Sequence, residues 1–320
     1  MLIGLLAGLA AGAFWGLTFV APTAVKPYSE IDLAVLRYLA FGLVSLALMA
    51  LSPRFRPGRI KPGQMLLALW LGLSGYVIYY IFVAFSISLA GPAIAPLVIG
   101  ALPVLLAIYG NWQDGTVSWR LLSVPLVMII AGLAVINGAA ISAASTHLQQ
   151  NNVIFGFGLA LCALANWFVY AVLNARALRV PDPPDALGWT SLQGLGAAAG
   201  VLPLLVIAPL MGWSEIPARG FAGEDGMRLL WWAFLTGVIG SWIAQYFWTL
   251  ASQRLPLALS AQLIVSETIF ALVYGFAHQG RAPHGHEWLG AALLLGGVMM
   301  GVRLFTIRRG VQDGDARPEH

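Results

Sequence analysis

The sequence predicts an all-α polytopic membrane protein with ten transmembrane helices, built as two inverted five-helix repeats. Its 320 residues contain 17 Lys and Arg and 13 Asp and Glu, and 59% of them are hydrophobic. A soluble domain holds roughly a quarter charged residues, so a chain of this composition would not be stable in water. Nearly uncharged stretches of about 20 residues recur along the chain, which is the length that an α-helix needs to cross the hydrocarbon core. The two halves also repeat the same residues in the same order.

The apolar segments of helical length predict where the ten spans lie. They are residues 2–24, 30–51, 64–86, 92–110, 119–140, 153–174, 186–209, 228–250, 256–277 and 287–307. The loops between them are short and many contain Pro or Gly, so no linker separates soluble domains. We interpret the first segment as a retained span, because Met1 is followed by no basic residue and the apolar run is longer than that of a signal peptide.

The positions of Lys and Arg predict the orientation, since basic residues are retained on the cytoplasmic side. With a cytoplasmic N-terminus, twelve of the 17 basic residues fall in cytoplasmic segments. Lys26, Arg219, Arg228 and Arg281 fall on the opposite side, and Arg37 lies within the second span. Both termini are therefore predicted to be cytoplasmic. Because the basic residues occupy separate short loops, the net charge of +4 does not indicate nucleic-acid binding.

An internal repeat relates the two halves of the chain. The matched positions are Gly4 with Gly156, Trp15 with Trp167, Leu73-Ser74-Gly75 with Leu235-Thr236-Gly237, Pro92 with Pro256, and Trp119 and Gly132 with Trp288 and Gly301. Each half contains five predicted spans, and an odd number forces the second half to enter the membrane upside down. The predicted organisation is an N-terminal repeat at 1–140, a connecting loop at 141–152, a C-terminal repeat at 153–307 and a disordered cytoplasmic tail at 308–320.

The chain resembles the EamA-type drug/metabolite transporter superfamily. The resemblance rests on two five-helix halves with an early Trp in each first helix, on Arg37 at the head of the second helix, and on Gly91-Pro92 followed by Leu102-Pro103-Val104. Within the superfamily, the segments Ala165-Asn166-Trp167 and Ser260-Ala261-Gln262-Leu263-Ile264-Val265-Ser266-Glu267-Thr268 are similar to the bacterial aromatic-amino-acid exporter (YddG-like) branch. The resemblance implies an amino-acid exporter of the bacterial inner membrane, with a central cavity lined by the first, third, fourth, sixth, eighth and ninth helices.

Aromatic residues divide into two sets by their depth in the predicted spans. Those near span ends are expected to anchor the chain at the membrane interfaces: Tyr28, Tyr109, Trp112, Trp119, Trp189, Trp213, Trp231, Trp232 and Trp288. Those near mid-span need a hydrogen-bond partner or a cavity: Trp15, Tyr76, Tyr79, Tyr80, Trp167, Tyr170, Trp242 and Tyr246. The second set predicts an aromatic cage, and ordinary packing between helices is the alternative.

An aromatic, nearly uncharged cavity suits a substrate with a flat apolar part and an ammonium group. Polar residues at mid-membrane depth, Thr18, Asn166, Gln245, Gln262 and Ser266, are the candidates to bind its polar ends. The complete predicted substrate site is Trp15, Thr18, Tyr76, Tyr79, Tyr80, Asn166, Trp167, Tyr170, Trp242, Gln245, Tyr246, Gln262 and Ser266.

Glu267 is the acidic residue that lies deepest in a predicted span, which makes it a functional candidate. It is interpreted either as a proton carrier, or as a structural residue hydrogen-bonded to neighbouring helices where the other repeat has Pro103; direct substrate contact is the third possibility. Arg37 is predicted to extend towards the membrane interface or to pair with Glu30 or Asp32.

Small residues and prolines predict the packing of individual helices. Gly8, Gly12 and Gly16 recur at every fourth position and predict a face for close packing of two helices rather than a dimer face. Pro22, Pro96 and Pro103 are expected to bend their helices.

Other functions fit these residues less well. No GxSxG or HExxH motif and no Gly-rich phosphate loop occurs, so we predict no catalytic residue, no cofactor, no metal site and no enzymatic activity. A channel is less consistent with an inverted repeat, and a carrier of sugar phosphates would need several buried cations. An exporter of apolar or cationic small molecules remains an alternative, because aromatic walls and one carboxylate would also suit it. The predicted partners are a small-molecule substrate and membrane lipid, without nucleic acid, and the predicted state is a monomer.

Overall fold

A computed structural model describes residues 1–52, 60–90, 94–115, 117–144 and 150–315. All regular secondary structure in these ranges is helical. The helical segments longer than one turn are α1 (Leu2–Ala24), α2 (Glu30–Leu51), α3 (Pro62–Ala90), α4 (Ile94–Ile99), α5 (Leu102–Asp114), α6 (Trp119–Ala144), α7 (Gln150–Leu178), α8 (Ala186–Leu210), α9 (Gly223–Arg254), α10 (Leu257–Gln279) and α11 (Gly285–Asp315). A one-turn helix, Ile216–Arg219, lies between α8 and α9.

Within the described ranges, nine helices are long and apolar enough to cross a membrane. The predicted fourth span, 92–110, differs from the others because it consists of the two shorter helices α4 and α5. Pro103 accounts for the break. A proline ring clashes with the carbonyl four residues earlier, here that of Ile99, and α4 ends at that residue. Pro103 itself lies in the first turn of α5, where its missing N–H leaves no hydrogen bond unmade.

The end of the chain is more helical than its composition predicts. Helix α11 continues to Asp315, well into the segment 308–320 that is predicted to be a disordered tail. At the predicted loop 141–152, α6 continues to Ala144 and α7 begins at Gln150. The residues between these two helices, and residues 316–320, lie outside the described part of the chain.

Helix α1 packs closely against α10 through its glycines. A Cβ atom added to Gly8 would lie 2.4 Å from Leu263 Cδ1, and one added to Gly12 would lie 2.0 Å from Ser266 Oγ. At Gly16 the added atom would lie 2.8 Å from the backbone nitrogen of Ala271. The predicted packing face of α1 is therefore confirmed, and it fixes the backbone of α10 around Ser266.

Two helices contain one π-helical segment each, at corresponding places in the two halves. In α3 the segment is Leu73–Ile78, and in α9 it is Val238–Ile243. A glycine, Gly72 or Gly237, ends the preceding α-helical part in each case. The offset between the segments is 165 residues (Leu73 to Val238), whereas the matched sequence motifs Leu73-Ser74-Gly75 and Leu235-Thr236-Gly237 are offset by 162. Short π-helical turns inside α-helices occur frequently at functional sites.

The two halves of the chain interleave in a regular way. Helix α1 packs against α9 and α10 from the other half, and α7 packs in the same manner against α3 and the α4–α5 pair. The pairs α2 with α8, α5 with α10, and α6 with α11 also join the two halves. Because both halves contribute to each of these contacts, a site between α1, α3, α7, α9 and α10 belongs to both.

Asp32 lies in the first turn of α2 and also binds a distant loop. Its carboxylate accepts hydrogen bonds from the backbone N–H of Ser29, at 3.1 Å, and from the hydroxyl of Ser214 and the N–H of Glu215, at 2.5 and 2.9 Å. The side chain of Ser29 accepts in turn from the N–H of Asp32, which completes a capping box.

Asp32→Ala is expected to lower the melting temperature of the purified protein by about 6 °C, since it removes a helix cap and charged hydrogen bonds worth about 2 kcal/mol together. The measurement is thermal unfolding in detergent, followed by tryptophan fluorescence. Asp182, an exposed residue for which no hydrogen bond is seen in the described part of the chain, provides the matched control Asp182→Ala. Equal melting temperatures for the two variants would contradict the assigned role of Asp32.

Candidate functional site

Aromatic rings from α1, α3, α7 and α9 form a continuous series between the two halves, which we call the ring series. Trp167 is at its centre, with its ring centroid 6.2 Å from that of Trp15, 6.1 Å from Tyr79 and 5.5 Å from Tyr170. Tyr170 continues the series to Tyr76, at 6.3 Å. Edge-to-face and tilted contacts at these distances are the favourable arrangements for aromatic pairs. The sequence-predicted residues Trp15, Tyr76, Tyr79, Trp167 and Tyr170 therefore lie together.

The ring series continues beyond the predicted residues at both ends. Trp248 of α9 lies 5.5 Å from Trp15 and is buried. At the other end, Tyr38 and Phe41 of α2 lie 5.8 and 5.3 Å from Tyr76. Tyr38 and Phe41 lie inside a predicted span and, like Trp248, were not included in the predicted site.

Trp242 and Tyr246 lie beside the ring series, and Tyr80 joins it only through Tyr38. The ring of Tyr80 contacts that of Tyr38, at 6.4 Å, and its hydroxyl donates to the carbonyl oxygen of Glu30 at the beginning of α2, at 2.9 Å. Trp242 and Tyr246 stack on each other at 5.5 Å with an interplanar angle of 8°. This partly buried pair continues through Phe247, whose ring centroid lies 6.1 Å from that of Tyr246 and 5.9 Å from that of Phe14 of α1.

A buried network of side-chain amides supports the ring series. Gln245, which is 1% exposed, accepts a hydrogen bond from the hydroxyl of Tyr76 at 2.7 Å and donates to the hydroxyl of Tyr170 at 2.9 Å. Tyr170 donates to Gln193 at 2.8 Å, and Gln193 donates to Asn174 at 3.1 Å. In a low-dielectric interior such bonds fix the orientation of the groups that they join. The two tyrosine rings are thus held by their hydroxyl groups.

The other predicted polar residues make mostly local bonds. The hydroxyls of Thr18 and Ser266 donate to backbone carbonyls of their own helices, those of Trp15 and Leu263. Gln262 is fully buried beside Gly301 of α11, and among the described residues no hydrogen-bond partner is seen for either polar atom of its amide group. Gln262 therefore lies against α11.

Each π-helical segment is bonded by a side chain from the opposite half. Asn166 of α7 donates to the carbonyl oxygen of Ser74, at 2.8 Å. Arg37 of α2 donates to the carbonyl oxygen of Gly240 at 3.3 Å and, through Nε, to the hydroxyl of Ser241 at 2.8 Å. The prediction that Arg37 pairs with Glu30 or Asp32 is therefore wrong, because its guanidinium faces α9 across the space between helices.

Glu267 lies on α10, next to the α1 contact. It is partly exposed, and within the described ranges no hydrogen bond or ion pair of its carboxylate is seen. It interacts electrostatically with Tyr79 of α3 and Arg37 of α2. These three side chains thus belong to three different helices, α2, α3 and α10.

Comparison with known proteins identifies the type of protein that contains this site. The EamA-like transporter family matches residues 2–138 and again residues 154–303. The chain belongs to this family of membrane transporters. As an EamA-like transporter, it is similar to inner membrane protein YtfF of Escherichia coli K12, with 33% identity over 312 residues, or 95% of this chain and 96% of that protein.

Two further relatives of this EamA-like transporter differ more. It is 27% identical over 238 residues to aromatic amino acid exporter YddG of Ancylobacter novellus, covering 73% of this chain and 75% of that protein. A solved crystal structure superposes with a TM-score of 0.72 at 21% identity, covering 95% of this chain and 97% of that one. This last similarity concerns the fold alone.

Two aromatic residues that were assigned to the membrane interface have other roles in this EamA-like transporter. Trp189 is fully buried and donates to Asn174 at 2.8 Å, so that it ends the amide network. Tyr28 is buried and donates to the carbonyl of Gly220 at 2.7 Å. Distance from the end of a span does not determine burial when a neighbouring helix or loop covers that end. By contrast, Trp112, Trp119, Trp231 and Trp288 are exposed on the molecule, as the interface assignment predicts.

Gln193 and Asn174 were also missed by the sequence analysis. Both are buried amides within predicted spans, and an amide at that depth must find a partner. Their depth in the predicted spans therefore indicates that both amides have hydrogen-bond partners. Their partners are on neighbouring helices and are not indicated by spacing along the chain.

Proposed function

We propose that this EamA-like transporter exports amino acids with aromatic or other neutral side chains by alternating access, through a central chamber lined by the ring series. The proposal places it as a monomer in a bacterial inner membrane, with ten spans and both termini cytoplasmic. The observation that carries it is the ring series itself, because it is built from both halves and is held by neutral amides. A substrate between the two halves can be released to either side when they rearrange.

Three observations support two inverted repeats. The family matches the chain once in each half. The packing of α1 on α9 and α10 has its counterpart in the packing of α7 on α3 and on α4–α5. The π-helical segments of α3 and α9 occupy corresponding places, and each accepts a hydrogen bond from the opposite half. If α4 and α5 together complete one crossing, each half has five, and the second half then enters the membrane upside down.

The chemistry of the chamber suits a zwitterion with an aromatic side chain. Stacking on Trp and Tyr rings gains energy from a flat apolar group, and an ammonium group is attracted to the face of a ring. The name of the relative YddG, an aromatic amino acid exporter, supports this choice of substrate. The name of YtfF supports only the inner-membrane location.

Export of apolar cations is the second candidate function. The carboxylate of Glu267, beside Tyr79 and without a hydrogen bond in the described ranges, would attract a cation. The nearby positive charge of Arg37 would repel a cation that lacks a carboxylate. We therefore favour the zwitterion.

The test is counterflow of labelled phenylalanine in proteoliposomes, with and without a pH gradient. Wild-type protein is expected to exchange phenylalanine. Trp167→Ala is expected to lower the initial rate at subsaturating substrate about tenfold, because it removes the ring that contacts Trp15, Tyr79 and Tyr170.

The matched control is Trp288→Ala, since Trp288 is 64% exposed and no ring contact of it is seen in the described structure. This variant should transport at the wild-type rate. Wild-type vesicles that exchange tetraphenylphosphonium but no amino acid would favour the second candidate. Equal rates for Trp167→Ala and wild type would contradict the assignment of the ring series as the substrate site.

A further inference from the structure

Arg37 and Glu267 are opposite charges within apolar helices, α2 and α10. Arg37 belongs to α2, close to Tyr38 and Tyr76, and Glu267 belongs to α10, close to Tyr79. A charge at this depth is costly unless it is paired or serves a ligand. The two groups interact electrostatically, but no ion pair within 4.0 Å joins them. The two charged groups are therefore more than 4.0 Å apart.

The guanidinium of Arg37 is fixed by hydrogen bonds that involve only some of its N–H donors. Its Nε donates to Ser241 and one Nη2 hydrogen to Gly240, both in the π-helical segment of α9. The group lies 5.4 Å from the centroid of the Tyr38 ring. A guanidinium has five N–H donors, so the bonds seen here leave donors for a ligand. A fixed guanidinium is well suited to bind a carboxylate through two parallel hydrogen bonds.

The backbone of Glu267 is held closely against α1. A Cβ atom added to Gly12 of α1 would lie 3.0 Å from the backbone nitrogen of Glu267, and one added to Gly16 would lie 3.1 Å from its carbonyl oxygen. Helix α10 is therefore fixed against α1 at this residue. Since no hydrogen bond of the carboxylate is seen in the described ranges, its acceptor positions are open to a cationic ligand.

We propose that Arg37 and Glu267 are the two charged poles of the substrate site, Arg37 binding the α-carboxylate and Glu267 the α-ammonium group. The inference rests on the proposed function, which it deepens by assigning the backbone groups of the amino acid to two residues. The side chain of the substrate then contacts the ring series between them. The pair selects zwitterions, because a ligand that lacks either charge leaves one buried pole without a partner.

Three ligands of nearly the same shape test this selection. Phenylalanine has both charges, phenethylamine lacks the carboxylate, and 3-phenylpropionate lacks the ammonium group. Dissociation constants are measured by quenching of tryptophan fluorescence in lipid nanodiscs, which avoids passive permeation of the amine. Wild-type protein is expected to bind phenylalanine at least tenfold more tightly than either analogue.

The two variants should lose different parts of this selectivity. Arg37→Gln is expected to reduce the preference for phenylalanine over phenethylamine about tenfold and to leave the preference over 3-phenylpropionate within twofold. Glu267→Gln is expected to give the opposite pattern. Arg37→Lys, which keeps the charge but not the planar donor group, should give an intermediate loss. The exposed residues Arg303 and Glu224 provide the charge-matched controls Arg303→Gln and Glu224→Gln.

The outcomes separate this inference from the proposed function. Wild-type protein that binds none of the three ligands would contradict the proposed function. If wild-type protein binds phenylalanine and both variants keep its preference over the two analogues within twofold, the assignment of Arg37 and Glu267 is overturned, while the proposed function is not. A third outcome concerns Glu267 alone. If the Glu267→Gln variant keeps both binding preferences but its phenylalanine counterflow no longer responds to a pH gradient, Glu267 is a proton carrier and its role as the ammonium site is overturned. If Arg37→Gln does not fold, Arg37→Lys and Glu267→Gln still decide the result.

Discussion

Gly72→Ala is expected to lower the melting temperature by about 10 °C and to reduce the yield of folded protein severalfold, although it adds only one methyl group. The added Cβ would lie 2.0 Å from the backbone carbonyl oxygen of Gln193 in α8. From the other side, a Cβ at Gly196 would lie 2.0 Å from the carbonyl oxygen of Leu69 in α3. The two helices therefore cross with their backbones in contact. Backbone atoms cannot rotate away, so the helices must separate, at a cost of about 3 kcal/mol or more.

Helix propensity alone predicts the opposite result. Alanine is favoured over glycine by about 1 kcal/mol inside a helix, so a glycine that only weakens its helix gives a more stable protein when replaced. Gly158, in the interior of α7, is the matched control because nothing lies within 4 Å of an added Cβ there. We expect Gly158→Ala to be as stable as wild type or slightly more stable. A Gly72→Ala protein with an unchanged melting temperature would show that α3 and α8 do not pack this closely in the membrane.

The same contact affects the substrate site. Gln193, whose backbone Gly72 contacts, belongs to the amide network that holds Tyr170. Gly237 precedes the π-helical segment of α9 in the same way that Gly72 precedes that of α3. It packs against the backbone of Arg37: a Cβ atom added to Gly237 would lie 2.6 Å from the carbonyl oxygen of Arg37. In each half, a glycine thus sets the distance between a π-helical segment and a residue of the candidate site.

The sequence predicts individual helices well because the hydrocarbon core limits their length and composition. Nine predicted spans correspond to long apolar helices, and the glycine face of α1 was read correctly from its spacing. The break in the predicted fourth span follows from Pro103, which was noted only as a bend. These features depend on residues close together in the chain, and so a local pattern is sufficient to predict them.

Contacts between helices were harder to predict. Trp15, Tyr79, Trp167 and Tyr170 were selected by depth, but depth does not indicate which rings touch, and Trp248 was missed for this reason. The sequence predicts a partner for Arg37 within the same helix, whereas its partner Ser241 lies on α9. The rotation of each helix decides such contacts. A π-helical segment changes that rotation within α3 and α9, so a regular spacing of 3.6 residues per turn no longer applies beyond it.

Gln245→Leu is expected to lower phenylalanine counterflow at least tenfold while the protein still folds. Gln245 joins Tyr76 of α3 to Tyr170 of α7 through hydrogen bonds of 2.7 and 2.9 Å. Leucine has a similar volume but leaves the buried Tyr76 hydroxyl without an acceptor, which costs about 1 to 3 kcal/mol. The Tyr76 ring is then expected to turn towards another acceptor and to disturb its contact with Tyr170. Gln64→Leu, at a residue with no hydrogen bond in the described structure, is the matched control and should transport normally.

A double-mutant cycle distinguishes the missing acceptor from a simple loss of substrate contact. In the wild-type background, Tyr76→Phe removes the donor and leaves Gln245 without one of its partners, so transport should fall. In the Gln245→Leu background the same change removes an unsatisfied hydroxyl, and transport should stay the same or partly recover. If the two changes reduce the transport rate independently, so that the double variant shows the product of the two reductions, Gln245 contacts the substrate directly rather than acting through Tyr76. Recovery in the double variant would mean that Gln245 acts by orienting Tyr76, and that the orientation of the rings, more than their number, determines the rate of transport.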